Sequence, residues 1–172
     1  MSAVLLLIDV QRNMLEAPEP VPEAALVAPV IENLLVRGRA EGARVIHVRN
    51  NGTDDDPDLP GTPGWELVHS PRPGEEVVDK RQADAFEGTG LAELLPEPTT
   101  LIVAGMQSDY CVRATSLAAV HRGHHVVLVK GAHATYDDPD EKIPARAVST
   151  EIEQELAAAG VRIVAPADVV YS

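Results

Sequence analysis

Residues 3–10 read Ala-Val-Leu-Leu-Leu-Ile-Asp-Val, an apolar run that does not alternate and that carries one carboxylate near its end. Unbroken hydrophobicity over this length predicts a strand covered on both faces, as in a parallel sheet. Residues 16–22, rich in Pro and Glu, read as a loop. Leu26, Val27, Val30, Ile31, Leu34 and Leu35 then recur at helical spacing. Pro29 falls inside that pattern and predicts a helix that starts near it or kinks there. Gly42 ends the helix, and residues 43–48 form a second strand. The stretch 49–76 is long and full of Gly, Pro and Asp, the composition of a functional or mobile loop.

The alternation continues with a short strand at 76–80, a short helix at 89–95 and a strand at 100–104 followed by Gly105. A helix at 110–122 stops at Gly123, and a strand follows at 125–129. Pro144 opens a helix at 144–159, Gly160 lies just past its end, and residues 161–164 close as a sixth strand. Strands alternating with helices predict a parallel sheet with helices on both faces, in one domain spanning 1–172. Ligands of such sheets sit beyond the carboxyl ends of the strands.

Charge and cysteine usage narrow the function. A formal net charge of −13 repels phosphate backbones and anionic lipid, which points away from nucleic acid and membranes but does not choose a substrate. The single cysteine, Cys111, permits no intrachain disulfide and fits a reducing compartment. The apolar opening is too short to span a bilayer and has no basic flank, so a cytoplasmic protein is expected.

Three strand ends carry chemistry. The first ends in Asp9, with Gln11 two residues on, and the third ends in Lys80. The fourth runs through Gly105-Met106-Gln107-Ser108-Asp109-Tyr110-Cys111 into a helix. A thiol at a helix start meets free N–H groups and a partial positive charge, which lower its pKa. The same N–H groups can hold an oxyanion. Singly, each residue has an ordinary reading: a buried small hydrophobe for Cys111, a turn former for Asp9, a solvated cation for Lys80. Expected to converge on one crevice, they bring the catalytic reading level with the ordinary one.

Three segments, in this order, resemble the isochorismatase-like cysteine hydrolases. They are Leu6-Leu7-Ile8-Asp9-Val10-Gln11, then Val78-Asp79-Lys80 with Asp84-Ala85-Phe86-Glu87-Gly88-Thr89, then Gly105 to Val112 with Arg113-Ala114-Thr115. The resemblance runs from about residue 4 to 163. It implies a three-layer α/β/α sandwich with a six-stranded parallel sheet of order 3-2-1-4-5-6. It also implies a catalytic triad of Asp9, Lys80 and Cys111. The backbone N–H groups of Gln107 and Cys111 would form the oxyanion hole, with a cis peptide joining Met106 to Gln107.

Related nicotinamidases carry an Asp-x-His and a further His for a metal. Here the second strand is followed by Arg49-Asn50-Asn51-Gly52-Thr53, and His69 alone is too little for a transition-metal site. No metal and no cofactor are expected. The acidic run 54–58 reads as a solvated, mobile loop. The segment 60–67 resembles a loop of the metal-free branch, which includes streptothricin hydrolase, and raises small amides and lactams as substrates. Gln11, Trp65, Phe86, Tyr110 and Tyr136 are candidate substrate contacts. His47, His125 and His133 read as structural histidines. The leading reading is a hydrolase that cleaves a C–N bond through a Cys111 thioester. A vinyl-ether hydrolase that does not need the cysteine is an alternative, and a non-catalytic assembly module is another. The resemblance further implies a homo-oligomer, dimer or larger.

Overall fold

A computed structural model describes residues 3–172. Six parallel strands form one sheet: β1 (Val4–Ile8), β2 (Arg44–Asn50), β3 (Glu76–Lys80), β4 (Thr100–Met106), β5 (His125–Ala134) and β6 (Arg162–Val164), in the order β3-β2-β1-β4-β5-β6. Helices α1 (Arg12–Leu15), α2 (Ala24–Ala40), α3 (Leu91–Leu94), α4 (Arg113–His121) and α5 (Ala145–Ala158) connect them. The sheet order is the one the family resemblance implies.

Every residue of β1 is buried, as its unbroken apolar run requires. Side chains alternate across a strand, so Leu5 and Leu7 join one core with Ile31, Leu34 and Leu35 of α2. Val4, Leu6 and Ile8 join the other, with Leu128, Ile152 and Leu156. The chain reverses from order at the middle strands: β1 is flanked by β2 on one side and β4 on the other. That reversal opens a crevice at their carboxyl ends.

Two boundaries differ most from the sequence expectation. Helix α2 begins before Pro29 and keeps it inside, early enough in the helix that few backbone bonds are lost. Strand β5 extends to Ala134, five residues beyond its expected end. Its pairing with β4 shifts register between Val103 and Gly105, around the exposed Lys130 and Gly131. Gly105 itself has φ +130, and a Cβ there would stand 1.9 Å from the Ile8 carbonyl oxygen, so only glycine lets β4 pass β1 at this point.

The long loop 49–76 is pinned at both ends. Near its far end Glu75 accepts from Arg39 at 2.7 and 2.9 Å and pairs with the buried His47 at 2.9 Å. Burial works against the Glu75 carboxylate, but Arg39, the Arg72 N–H and His47 overcome it and pull its pKa from 4.5 to about 2. An acid depressed in the fold contributes stability that is present above its unfolded pKa and lost as pH falls toward its folded one. Glu75→Gln is therefore expected to cost about 3 kcal/mol at pH 7. The gap from wild type should close between pH 4.5 and 2. Urea unfolding at both ends of that range reads it, and a gap unchanged at low pH would assign the cost to packing instead. Among the described residues no helix is long and apolar enough to cross a membrane.

Candidate active site

The residue after β1 is Asp9, held at φ 51, a left-handed conformation that non-glycine residues seldom adopt. Its N–H donates to the Val48 carbonyl at 2.9 Å. This places the carboxylate over the crevice rather than along the strand. Lys80 ends β3, and its ammonium crosses β2 to reach Asp9 Oδ2 at 3.1 Å. The same Nζ donates to Cys111 Sγ at 3.2 Å and to Asn50 Oδ1 at 2.9 Å. Asp9 and Lys80 are each 1% exposed, and Cys111 is half-buried. One buried cation thus joins a buried carboxylate to a half-buried thiol.

Cys111 sits in a single π-helical turn, Ser108–Val112, between β4 and α4. Expectation placed it at the start of a regular α-helix; the wider turn intervenes, as π-turns often do at functional sites. The Gln107 carbonyl accepts the N–H groups of Tyr110 and Val112, and the Met106–Gln107 peptide is cis.

The electrostatics correct one expectation. Burial, helped by the Asp9 charge, pushes the Cys111 thiol up to about 12 despite Lys80. The positive end of a short turn is outweighed by desolvation. Burial likewise raises Asp9 above its ordinary value, against the pull of Lys80. Burial opposes the Lys80 ammonium, but Asp9 and Cys111 together outweigh it and its pKa is raised. The free site therefore holds a neutral thiol and a lysine cation. Asp9 Oδ1 is buried without a hydrogen-bond partner.

The other candidate residues divide. Gln11 is fully buried and spent: its Nε2 donates to the carbonyls of Asn50 and Trp65, both at 3.0 Å, and its Oε1 accepts the Asn50 N–H at 2.8 Å. It ties two loops together instead of facing substrate. Phe86 is also not at the crevice. It is buried against His124, with Arg122 4.7 Å from its ring centroid, toward the amino ends of the strands. Trp65 is held by Asn51 Oδ1 at 2.8 Å and by the Arg49 guanidinium 3.7 Å from its ring centroid. Tyr110 is 60% exposed beside the nucleophile turn. Tyr136 donates to the Glu19 carbonyl at 2.7 Å and lines a cavity of ≈ 370 Å³ with Arg12, Asn13, Glu16 and Pro63. A second cavity of ≈ 470 Å³ lies against Lys80, walled by Asn51, Arg81 and Glu87.

Two residues escaped the sequence reading. Asn50 bridges Lys80 to Asp58, donating from Nδ2 to Asp58 Oδ2 at 2.6 Å. Asp58 is 7% exposed, so the acidic run is not wholly a solvated loop. A Cβ on Gly52 would meet Asp58 Oδ1 at 2.2 Å, and the glycine is what lets that carboxylate turn inward. The position of Asn50 at the end of β2 was the available signal. Among the described residues, no group of three or more His, Cys, Asp or Glu could hold a metal ion.

The family model described as the isochorismatase domain matches residues 3–161. Two streptothricin hydrolases of Streptomyces noursei are similar. One is 43% identical over 179 residues, covering 94% of this chain and 65% of the relative. The other is 46% identical over 139 residues, covering 78% and 55%. The chain thus spans less than two thirds of either relative. The crystal structure of an isochorismatase from Pseudomonas putida KT2440 superposes with a TM-score of 0.91 at 31% identity, over 98% of this chain and 90% of that one.

Proposed function

The chain belongs to the isochorismatase family, and within it we propose a hydrolase that cleaves the C–N bond of a small amide or lactam through a Cys111 thioester. The observation that carries this reading is the Lys80 ammonium, within 3.2 Å of both the Asp9 carboxylate and the Cys111 sulfur. A lone buried cysteine needs no such neighbours, whereas a nucleophile needs a base and a fixed charge.

In the proposed sequence Asp9 Oδ1 takes the thiol proton as sulfur attacks the carbonyl carbon. A thiol raised to about 12 is a weak nucleophile until that transfer, so proton removal and attack proceed together. The N–H groups of Gln107 and Cys111 hold the oxyanion. As the tetrahedral adduct collapses, Asp9 returns the proton to the leaving nitrogen and the C–N bond breaks. Asp9 then takes a proton from water as its oxygen attacks the thioester carbon, the C–S bond breaks, and Asp9 passes that proton to sulfur, so the carboxylic acid leaves and the Cys111 thiol and Asp9 carboxylate are restored. Lys80 keeps its charge throughout and compensates whichever partner is anionic. The reading brings with it a cytoplasmic homo-oligomer, dimer or larger.

Streptothricin and simple lactams are the first probes. Hydroxylamine present during turnover is expected to divert the acyl group to a hydroxamate, and acid quench should leave acyl mass on Cys111. Full-rate turnover yielding only carboxylic acid at saturating hydroxylamine, with no adduct, would mean that water attacks the substrate directly.

A further inference from the structure

Behind the nucleophile turn lies a second constellation that the proposed chemistry does not use. Ser108 Oγ stands 2.8 Å from His133 Nδ1, and His133 Nε2 stands 3.0 Å from Glu153 Oε1. Ser149 Oγ adds a further contact to Ser108 at 2.9 Å. Hydroxyl, imidazole and carboxylate in line would be a nucleophile, its base and its orienting acid if the hydroxyl were accessible. Ser108 is 0% exposed, so no substrate reaches it.

Proton accounting gives the row another meaning. With Glu153 as the carboxylate it can only accept, which places a proton on His133 Nε2. With the proton on Nε2 alone, Nδ1 accepts from the Ser108 hydroxyl, which leaves Ser108 to accept from Ser149. Ser108 is the first residue of the π-turn that carries Cys111, and it follows Gln107 directly. The register shift in β5 is what brings His133 opposite Gly105 and under this turn. Two residues on, Thr135 Oγ1 donates to Asp109 Oδ1 at 2.6 Å and grips the same turn from its outer side.

We propose that Glu153, His133 and Ser108 form a positioning relay through which helix α5 and strand β5 hold the nucleophile turn in its reactive geometry. The inference rests on Cys111 being the nucleophile, and it adds residues that touch neither substrate nor sulfur. Misplacement of a reacting group by about 1 Å can cost about 100-fold in rate, so a wide turn holding Cys111 3.2 Å from Lys80 needs an anchor.

Ser108→Ala and His133→Phe test the buried end but put the core at risk. Glu153 carries less risk: its side chain is 13% exposed, against 1% for His133, and it borders a cavity of ≈ 230 Å³ beside α2. Glu153→Ala keeps helix propensity and removes the acceptor. It is expected to lower kcat on streptothricin or a lactam about tenfold, with KM within about twofold. Glu153→Gln, whose Oε1 can still accept from Nε2–H, should recover most of that loss. Hydrogen exchange should quicken in the peptide spanning 107–112 in Glu153→Ala, and not merely in α5. Unchanged kcat and unchanged exchange in that peptide would overturn the relay, whatever happened to the melting temperature. If the wild type turns over no amide, the functional reading is at fault, and exchange at 107–112 alone decides the relay.

Discussion

Cys111→Ala is expected to remove amide and lactam hydrolysis, lowering kcat by about four orders of magnitude or more. The substitution deletes the only cysteine thiol in the chain and leaves the backbone N–H groups of the turn and the Asp9–Lys80 pair in place. Cys111 is half-buried and packs only at the edge of the core, so the fold should survive with little change in melting temperature. Substrate binding should persist too, which would appear as an unchanged Kd for the uncleaved amide. The alternative chemistry makes the opposite prediction. A vinyl-ether hydrolase working through Asp9 alone protonates its substrate and adds water without a covalent adduct, so its rate would survive Cys111→Ala. An assembly module would show neither loss, because it would have no turnover to lose. Assaying wild type and variant side by side on a lactam and a vinyl ether separates the three.

The parts of this molecule that were legible in its sequence are those set by local pattern. β1 and β4 announce themselves because a strand buried on both faces has no polar alternation to confuse it. Asp9, Lys80 and Cys111 were legible because strand ends in a parallel sheet converge, and the structure brings their side chains within about one hydrogen bond of each other. What was not legible depends on tertiary direction. Phe86 lies between motif residues, yet its ring points to His124 and the far edge of the sheet. Nothing in the string Asp54-Asp55-Asp56-Pro57-Asp58 says which carboxylate turns inward; Asn50 and the space above Gly52 decide it. β5 continues past Lys130-Gly131 because β4 is there to pair with residues 133 and 134, which no window on β5 alone could reveal. The thiol failed most instructively. Its place at a turn argued for a lowered pKa, but burial is a property of everything packed around it, and burial prevails.

The Asp9–Lys80 pair yields the largest effect on stability, and its pH dependence has a definite sign. Lys80→Met preserves length while removing the cation, which strands a carboxylate that is 1% exposed. Breaking one side of a buried pair costs about 3–5 kcal/mol. Asp9 can limit the damage by taking up a proton, since its folded pKa already lies above 3.8 and loss of Lys80 raises it further. An acid whose pKa is raised by folding favours the fold below its unfolded pKa, and that contribution is lost as pH rises through the folded value. The deficit of Lys80→Met against wild type should therefore be small near pH 4 and grow toward pH 8, in urea unfolding at matched ionic strength. Asp9→Asn combined with Lys80→Met replaces the ion pair by two neutral groups and should recover much of the loss at pH 8, with the pH dependence gone. Turnover should not return with it: without Asp9 no group takes the thiol proton, and removal of a general base costs about 10²- to 10⁴-fold. A double variant that regains stability and stays inactive would separate what the pair does for the fold from what it does for the reaction. A deficit independent of pH would instead locate the loss in packing around the Lys80 stem, and would remove the charge of Lys80 from the proposed chemistry.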